Sequence, residues 1–123
     1  MERPRILLID DSRFIGTLIE SELEEKGFDV TVADTGRGGL DLAKLMTPDL
    51  IILDLILPDI SGENVCKEIK RDPRLCDVPV VMLTAKDSDT DKVVGRVIGA
   101  AAYIPKPFEV DKLIIEINKL IGK

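Results

Sequence analysis

Leu50-Ile51-Ile52-Leu53-Asp54 is the stretch of sequence that decides the fold. Four consecutive apolar residues leave the segment without a polar face, which is typical of a parallel strand covered by helices on both sides of a sheet. The run ends at an aspartate, so an acidic side chain is predicted at the carboxyl end of this central strand. The sequence therefore favours a buried parallel sheet with a polar group at one edge.

Strand and helix patterns alternate along the rest of the chain. Each of five short apolar runs is followed by apolar residues at helical spacing. This alternation predicts a doubly wound α/β domain, because right-handed crossovers place helices on both faces of a parallel sheet. The predicted strands are residues 5–9, 28–33, 50–53, 79–84 and 102–104, and helical stripes follow at residues 14–23, 40–46, 65–69, 93–98 and 110–121.

Length and composition limit the chain to one globular domain and exclude several classes of function. The 123 residues leave no room for a second core. A formal net charge of -6 opposes attraction to phosphate backbones, so direct nucleic-acid binding is not expected. The longest stretch without a charge, residues 97–105, is too short to span a bilayer, so no membrane insertion is expected. Cys66 and Cys76 form no C-x-x-C pair, so we expect a reducing, cytoplasmic setting.

Polar side chains follow four of the predicted strands. In doubly wound sheets the ligand site lies outside the carboxyl ends of the strands, so we expect these side chains to converge at one edge. Each of them alone would also fit a helix cap or a solvated surface charge; their joint placement favours a site. They are Asp10 and Asp11 after the first strand, Asp54 after the third, Thr84 at the end of the fourth and Lys106 after the fifth.

The chemistry of this set indicates a divalent cation and a phosphoryl group. Three carboxylates in one small cleft repel one another unless a cation lies among them. Oxygen ligands with retained waters suit Mg²⁺. Lys106 and Thr84 supply a point charge and a hydroxyl donor for phosphoryl oxygens. The chain contains no histidine, which removes any phosphohistidine chemistry within it.

Four stretches, in order and at matching spacing, resemble the receiver domains of bacterial two-component response regulators, a family that includes single-domain chemotaxis regulators. They are Ile9-Asp10-Asp11-Ser12, residues 53–62 (LDLILPDISG), residues 80–85 (VVMLTA) and residues 103–108 (YIPKPF). The resemblance covers essentially the whole chain. It implies that residues 1–123 form one receiver, or phosphoacceptor, domain with the flavodoxin-like (βα)5 fold and the strand order 2-1-3-4-5.

The resemblance also implies how the acidic residues would act. Asp54 would accept a phosphoryl group from a histidine kinase or a phosphotransfer protein. Asp11 and Asp54 would ligate Mg²⁺ directly, Ile56 would contribute its backbone carbonyl, and Asp10 would act through a water molecule. The protein would promote its own phosphorylation without turning over an external substrate, and so would not be an enzyme in the usual sense.

Three further residues are implied to carry the switch. Lys106 would pair with the acyl phosphate, Thr84 would move to hydrogen-bond it, and Tyr103 would swing inward toward Thr84. The Lys106–Pro107 peptide bond is expected to be cis. The output would be a changed affinity for a downstream protein or a fused output domain, at a face formed by the fourth helix, the fifth strand and the last helix.

Two other functions stay open at this point. The chain could be a receiver-like interaction module whose output does not depend on phosphorylation, or a Mg²⁺-dependent phosphatase with Asp54 as nucleophile. The phosphatase would need a second acid two residues after Asp54, where Ile56 stands. Since Ile56 also replaces a polar group that the family often carries near the attacking water, we expect a long-lived acyl phosphate, unless Lys86 reaches the phosphoryl group.

Overall fold

Five parallel strands form one sheet in a computed structural model that describes residues 3–84 and 99–122. The order of the strands is β2-β1-β3-β4-β5, which confirms the predicted doubly wound topology. The strands are β1 (Arg5–Ile9), β2 (Asp29–Ala33), β3 (Leu50–Asp54), β4 (Val80–Thr84) and β5 (Ala102–Pro105).

Four helices are described, and three of them begin at a hydroxyl residue that caps the first turn. The side-chain oxygens of Ser12, Thr35 and Ser61 accept hydrogen bonds from backbone N–H groups three residues further on, which satisfies donors that have no helical partner. The helix predicted around residues 93–98, like Lys86, lies outside the described residues. The four helices are α1 (Arg13–Glu25), α2 (Gly36–Met46), α3 (Gly62–Arg71) and α4 (Val110–Leu120).

Strand β3 is buried from both sides, as its apolar run predicts. Ile51 and Leu53 belong to a cluster that α2 and α3 cover, whereas Leu50 and Ile52 belong to a cluster that α1 and α4 cover. None of these four side chains is exposed to solvent. We call the two sides of the sheet the α2–α3 face and the α1–α4 face. Because helices cover both faces, the polar groups of the sheet that solvent can reach are at the strand ends.

The register of the sheet brings the polar strand ends together. Ile9 pairs with Leu53, so Asp10 and Asp54 follow on neighbouring strands. On the other side of β3, Asp54 pairs with Leu83, next to Thr84. Because all strands run in the same direction, their polar residues meet at one edge.

Two predicted helices expose apolar residues that belong to their stripes. On α1, Ile19 and Leu23 are buried, but Phe14 is 78% exposed and Leu18 is 43% exposed. On α2, Leu45 is 83% exposed. The apolar stripe of α1 is therefore wider than the surface that the sheet covers. In the described ranges, no helix is both long and apolar enough to cross a bilayer.

Candidate functional site

The three predicted acids form a cluster at the carboxyl edge of the sheet. Asp10 is 2% exposed and Asp54 is 7% exposed, while Asp11 is open to solvent. One carboxylate oxygen from each of the three lies within 4.8 Å of the others. The backbone of Asp10 is held by a 3.0 Å hydrogen bond from its N–H to the Ala33 carbonyl. The edge of the sheet thus buries two of the carboxylates and leaves the third accessible.

Asp10 carries the clearest electrostatic signature of the cluster. Burial raises the pKa of its carboxyl group, and the neighbouring charge of Asp54 adds to that effect, although a 2.8 Å hydrogen bond from the Ser12 N–H works in the opposite direction. Its Oδ2 atom is buried without a hydrogen-bond partner among the described residues. A carboxylate that is costly to ionise becomes favourable beside a cation. The oxygen-only donor set therefore fits Mg²⁺.

Lys106 points its amine into the acid cluster. Its Nζ atom lies 3.0 Å from Oδ2 of Asp54 and 3.8 Å from Oδ2 of Asp10. The backbone N–H of Lys106 donates to the Thr84 carbonyl at 2.8 Å, which places the side chain directly beyond the end of β5. The bond to Pro107 is cis, as expected. The ammonium lies where it would neutralise charge added to Asp54.

Thr84 ends β4, and Tyr103 lies on the adjacent strand β5. Thr84 is 1% exposed, and its hydroxyl has no hydrogen-bond partner among the residues described. A buried hydroxyl is normally bonded, so Thr84 suits a group that gains a partner during function. Tyr103 is half-buried on β5, in register with Met82, and packs against the α2–α3 face. The predicted inward movement of Tyr103 stays a prediction.

Ile56 lies in the loop that follows Asp54. Its N–H donates to Oδ1 of Asp54 at 3.3 Å, which bends the loop back toward the carboxylate. The Ile56 side chain is 74% exposed. No polar side chain at this position reaches toward Asp54, because the residue itself is apolar.

Two residues of the stretch 53–62 shape this loop, and the sequence predicted a role for neither of them. A Cβ atom on Gly62 would overlap the Asp54 carbonyl oxygen and would lie 2.7 Å from Cα of Leu55, so the start of α3 packs directly on the end of β3. The carboxylate of Asp59 accepts hydrogen bonds from the N–H groups of Gly36 and Arg37, on α2. Neither contact has a local sequence signal, because both depend on how distant segments pack.

Residues 6–118 match the response regulator receiver domain family. The chain belongs to that family. A curated relative from Synechocystis, described as a DNA-binding dual master transcriptional regulator RpaA, is 44% identical over 120 residues, covering 98% of this chain and 50% of the relative. The chain thus spans about half the length of that relative. Receiver domains of this family act in two-component signalling and generally not as catalysts.

Solved receiver structures have the same fold. A protein from Chloroflexus aurantiacus described as a response regulator is 30% identical with a TM-score of 0.95, and the match covers 99% of this chain and 100% of that one. The receiver domain of a sensor histidine kinase from Pseudomonas aeruginosa is 29% identical with a TM-score of 0.90, over 98% of this chain and 99% of that one. That second protein has a magnesium ion coordinated in its active-site cleft. Receiver domains bind Mg²⁺ at an acidic site, and the present chain carries such an acid cluster.

Proposed function

We propose that Asp54 of this receiver accepts a phosphoryl group from the phosphohistidine of a partner. The observation that carries the proposal is the 3.0 Å contact between Lys106 Nζ and Asp54 Oδ2, inside a cluster of three carboxylates. An Asp54 oxygen attacks phosphorus, the P–N bond breaks, and its electron pair remains on the imidazole, which takes a proton from solvent. Lys106 stabilises the charge that this transfer places on Asp54.

The cation of this site would be Mg²⁺, held by this chain's own oxygen ligands. Asp11 and Asp54 would supply carboxylates, Ile56 its backbone carbonyl, and Asp10 a hydrogen bond through a bound water. When bound, Mg²⁺ would supply positive charge that neutralises the phosphoryl oxygens. The raised pKa of Asp10, caused mainly by burial, supports this ligand set, because a nearby cation offsets the cost of its charge.

The switch would begin at Thr84. Its buried hydroxyl, which lacks a hydrogen-bond partner among the described residues, would donate to a phosphoryl oxygen on Asp54. Movement of Thr84 toward the phosphoryl group would let Tyr103 turn inward. The readout would be a new affinity at the surface of β5 and α4, where Ile115 is 54% exposed beside Tyr103 and Lys112.

We propose that the phosphodonor protein docks on the exposed apolar part of α1. Phe14 is 78% exposed, and one turn further Leu18 lines an apolar groove with Lys106, Pro107 and Phe108. Because Lys106 contacts Asp54, a partner seated in this groove lies within reach of the carboxylate. The test uses a phosphorylated kinase that labels the parent chain. With this kinase, Phe14→Ala should slow phosphoryl transfer roughly tenfold or more, because truncation of an aromatic side chain at the centre of an interface typically weakens binding by that much.

The matched control for this surface is Leu45→Ala, since Leu45 is equally exposed on another helix. Both variants should react with acetyl phosphate at the parent rate. A kinase that labels Phe14→Ala as fast as the parent would show that the phosphodonor docks elsewhere.

The output partner is proposed to be a protein and not DNA. The Synechocystis relative is described as DNA-binding and is about twice as long as the part matched. Residues 1–123 carry a formal net charge of -6, which opposes contact with a phosphate backbone. We therefore propose a downstream protein or a fused output domain as the partner, in the reducing cytoplasm that the cysteine usage favours.

Acetyl phosphate and Mg²⁺, followed by intact mass measurement, test the proposed function. The parent should gain one phosphoryl group, which chelation of Mg²⁺ should prevent. Asp54→Asn should gain none. Asp34→Asn is the matched control, because Asp34 also follows a strand but lies outside the acid cluster. A parent that stays unmodified, or an Asp54→Asn variant that is labelled like the parent, would contradict the proposal.

A further inference from the structure

Asp59 ties the loop after β3 to a helix that is distant in sequence. One of its carboxylate oxygens accepts a hydrogen bond from the Gly36 N–H at 2.8 Å, and the other accepts one from the Arg37 N–H at 2.9 Å. Both donors lie in the first turn of α2, where N–H groups have no acceptor within the helix and the helix dipole favours a negative charge. These hydrogen bonds, that from Arg37 foremost, lower the pKa of Asp59 to about 2. The contact is therefore charged at any physiological pH.

The loop has its other described hydrogen bonds at its two ends. At the start, the Leu55 N–H donates to the Leu83 carbonyl at 3.1 Å, and the Ile56 N–H donates to Oδ1 of Asp54 at 3.3 Å. At the end, the Gly62 N–H donates to the Leu55 carbonyl at 2.8 Å. Between these ends, among the described residues, the Asp59 carboxylate supplies the hydrogen bonds that join the loop to another element. The backbone carbonyl of Ile56 lies on the stretch that these contacts enclose.

Helix α2 also packs closely on β1, the strand that precedes Asp10 and Asp11. A Cβ atom on Gly39 would lie 2.5 Å from Cδ1 of Ile9, so the helix and β1 approach each other closely. Ile9 directly precedes Asp10. At the helix start, a Cβ atom on Gly36 would lie 2.5 Å from Cγ1 of Ile60, in the loop itself. Helix α2 therefore contacts both sides of the acidic site.

We propose that Asp59 is a positioning residue for the magnesium site. By hydrogen-bonding the first turn of α2, it fixes the carbonyl of Ile56 relative to the carboxylates of Asp10 and Asp11. The inference rests on the proposed function, because it presupposes that this edge of the sheet binds Mg²⁺. Asp59 lies outside the acid cluster, so its effect passes through α2 and the loop.

Calorimetric titration of the full chain with MgCl₂ tests the proposal directly. Mutation of a residue that orients metal ligands without binding the metal typically weakens metal affinity by roughly 10- to 100-fold. Asp59→Ala should therefore raise the Kd for Mg²⁺ about tenfold or more. Asp59→Asn should raise it less, because the amide oxygen still accepts one of the two hydrogen bonds. Labelling by acetyl phosphate should fall at limiting Mg²⁺ and recover at saturating Mg²⁺, since the reacting groups are unchanged.

Two variants separate this role from a general loss of stability. Thr35→Ala removes the hydrogen bond that caps the same helix through the Gly38 N–H, but leaves the loop contact in place. Asp72→Ala removes a carboxylate that accepts from the Arg74 N–H, in a turn remote from the acids. Both should keep the parent's Kd for Mg²⁺ while losing stability in urea.

The outcomes distinguish the inference from the function on which it rests. If the parent neither binds Mg²⁺ nor reacts with acetyl phosphate, the proposed function is wrong and the inference falls with it. If the parent does both, but the Asp59 variants bind Mg²⁺ like the parent or Thr35→Ala weakens binding equally, the inference alone is wrong. Should Asp59→Ala fail to fold, Asp59→Asn carries the same comparison.

Discussion

Gly62→Ala should disable the site without removing any reactive group. The added Cβ atom would overlap the Asp54 carbonyl oxygen and would lie 2.7 Å from Cα of Leu55 and 3.0 Å from the Asp54 carbonyl carbon. Carbon atoms pack best at about 3.5–4.0 Å, so the backbone at the end of β3 must shift by roughly 1 Å. A misplacement of about 1 Å can cost roughly 100-fold in rate. Overpacking of this kind also lowers the free energy of unfolding by about 1–3 kcal/mol.

The assay is the initial rate of labelling by acetyl phosphate at saturating Mg²⁺, measured by intact mass. The folded fraction of each variant is measured by circular dichroism under the same conditions, so that a slower rate is not a loss of folded protein. Gly16→Ala is the matched control, because a Cβ atom there would meet Cγ1 of Val32 at an ordinary 3.5 Å. In the interior of α1 this change should leave labelling intact and add up to about 1 kcal/mol of stability.

The result that refutes this reasoning is a folded Gly62→Ala variant that is labelled at the parent rate. The loop would then absorb the added methyl group without moving Asp54. Loss of labelling in both glycine variants would indicate that the fold is generally sensitive to an added methyl group. This result would also contradict a specific effect of Gly62 on Asp54.

Three further predictions follow from single residues. Ile56→Asn should shorten the lifetime of the phosphorylated form roughly tenfold, the effect of one added hydrogen bond to the attacking water, as followed by phosphate release; an unchanged lifetime would contradict it. Thr47→Gly should raise the free energy of unfolding by about 0.5–1 kcal/mol, because Thr47 has a φ of 45° at the end of α2 and left-handed backbone strains a branched side chain; a lower urea midpoint would show that the strain is compensated. The pKa of Asp59, lowered from 3.8 to about 2, makes its stabilising effect complete above about pH 4 and lost as the pH falls toward 2; Asp59→Asn should therefore flatten the dependence of the urea midpoint on pH in this interval, and an unaltered profile would exclude the contact in solution.

Much of the site could be predicted because its signals are local. The apolar run of β3 ends at Asp54, and acids or a lysine directly follow other strands, so the rule for strand ends in parallel sheets already places them at one edge. The apolar stripe of α1 predicted the helix, but it did not predict which of the apolar residues are buried. Phe14 is 78% exposed, since periodicity reports which side of a helix is apolar and not how much of that side the sheet covers.

The sequence alone determined the doubly wound parallel fold and the residue types of the acidic site, because strand and helix periods and strand-end positions are properties of short segments. The tertiary structure decided the distances on which chemistry depends. Lys106 lies 52 residues from Asp54 in the chain, yet its Nζ atom is 3.0 Å from the carboxylate. The Asp59 bond to α2 and the contact of Gly62 with β3 likewise join segments that no local pattern relates. Such contacts arise only when the helices have packed on the sheet, because packing and not sequence proximity sets which atoms meet.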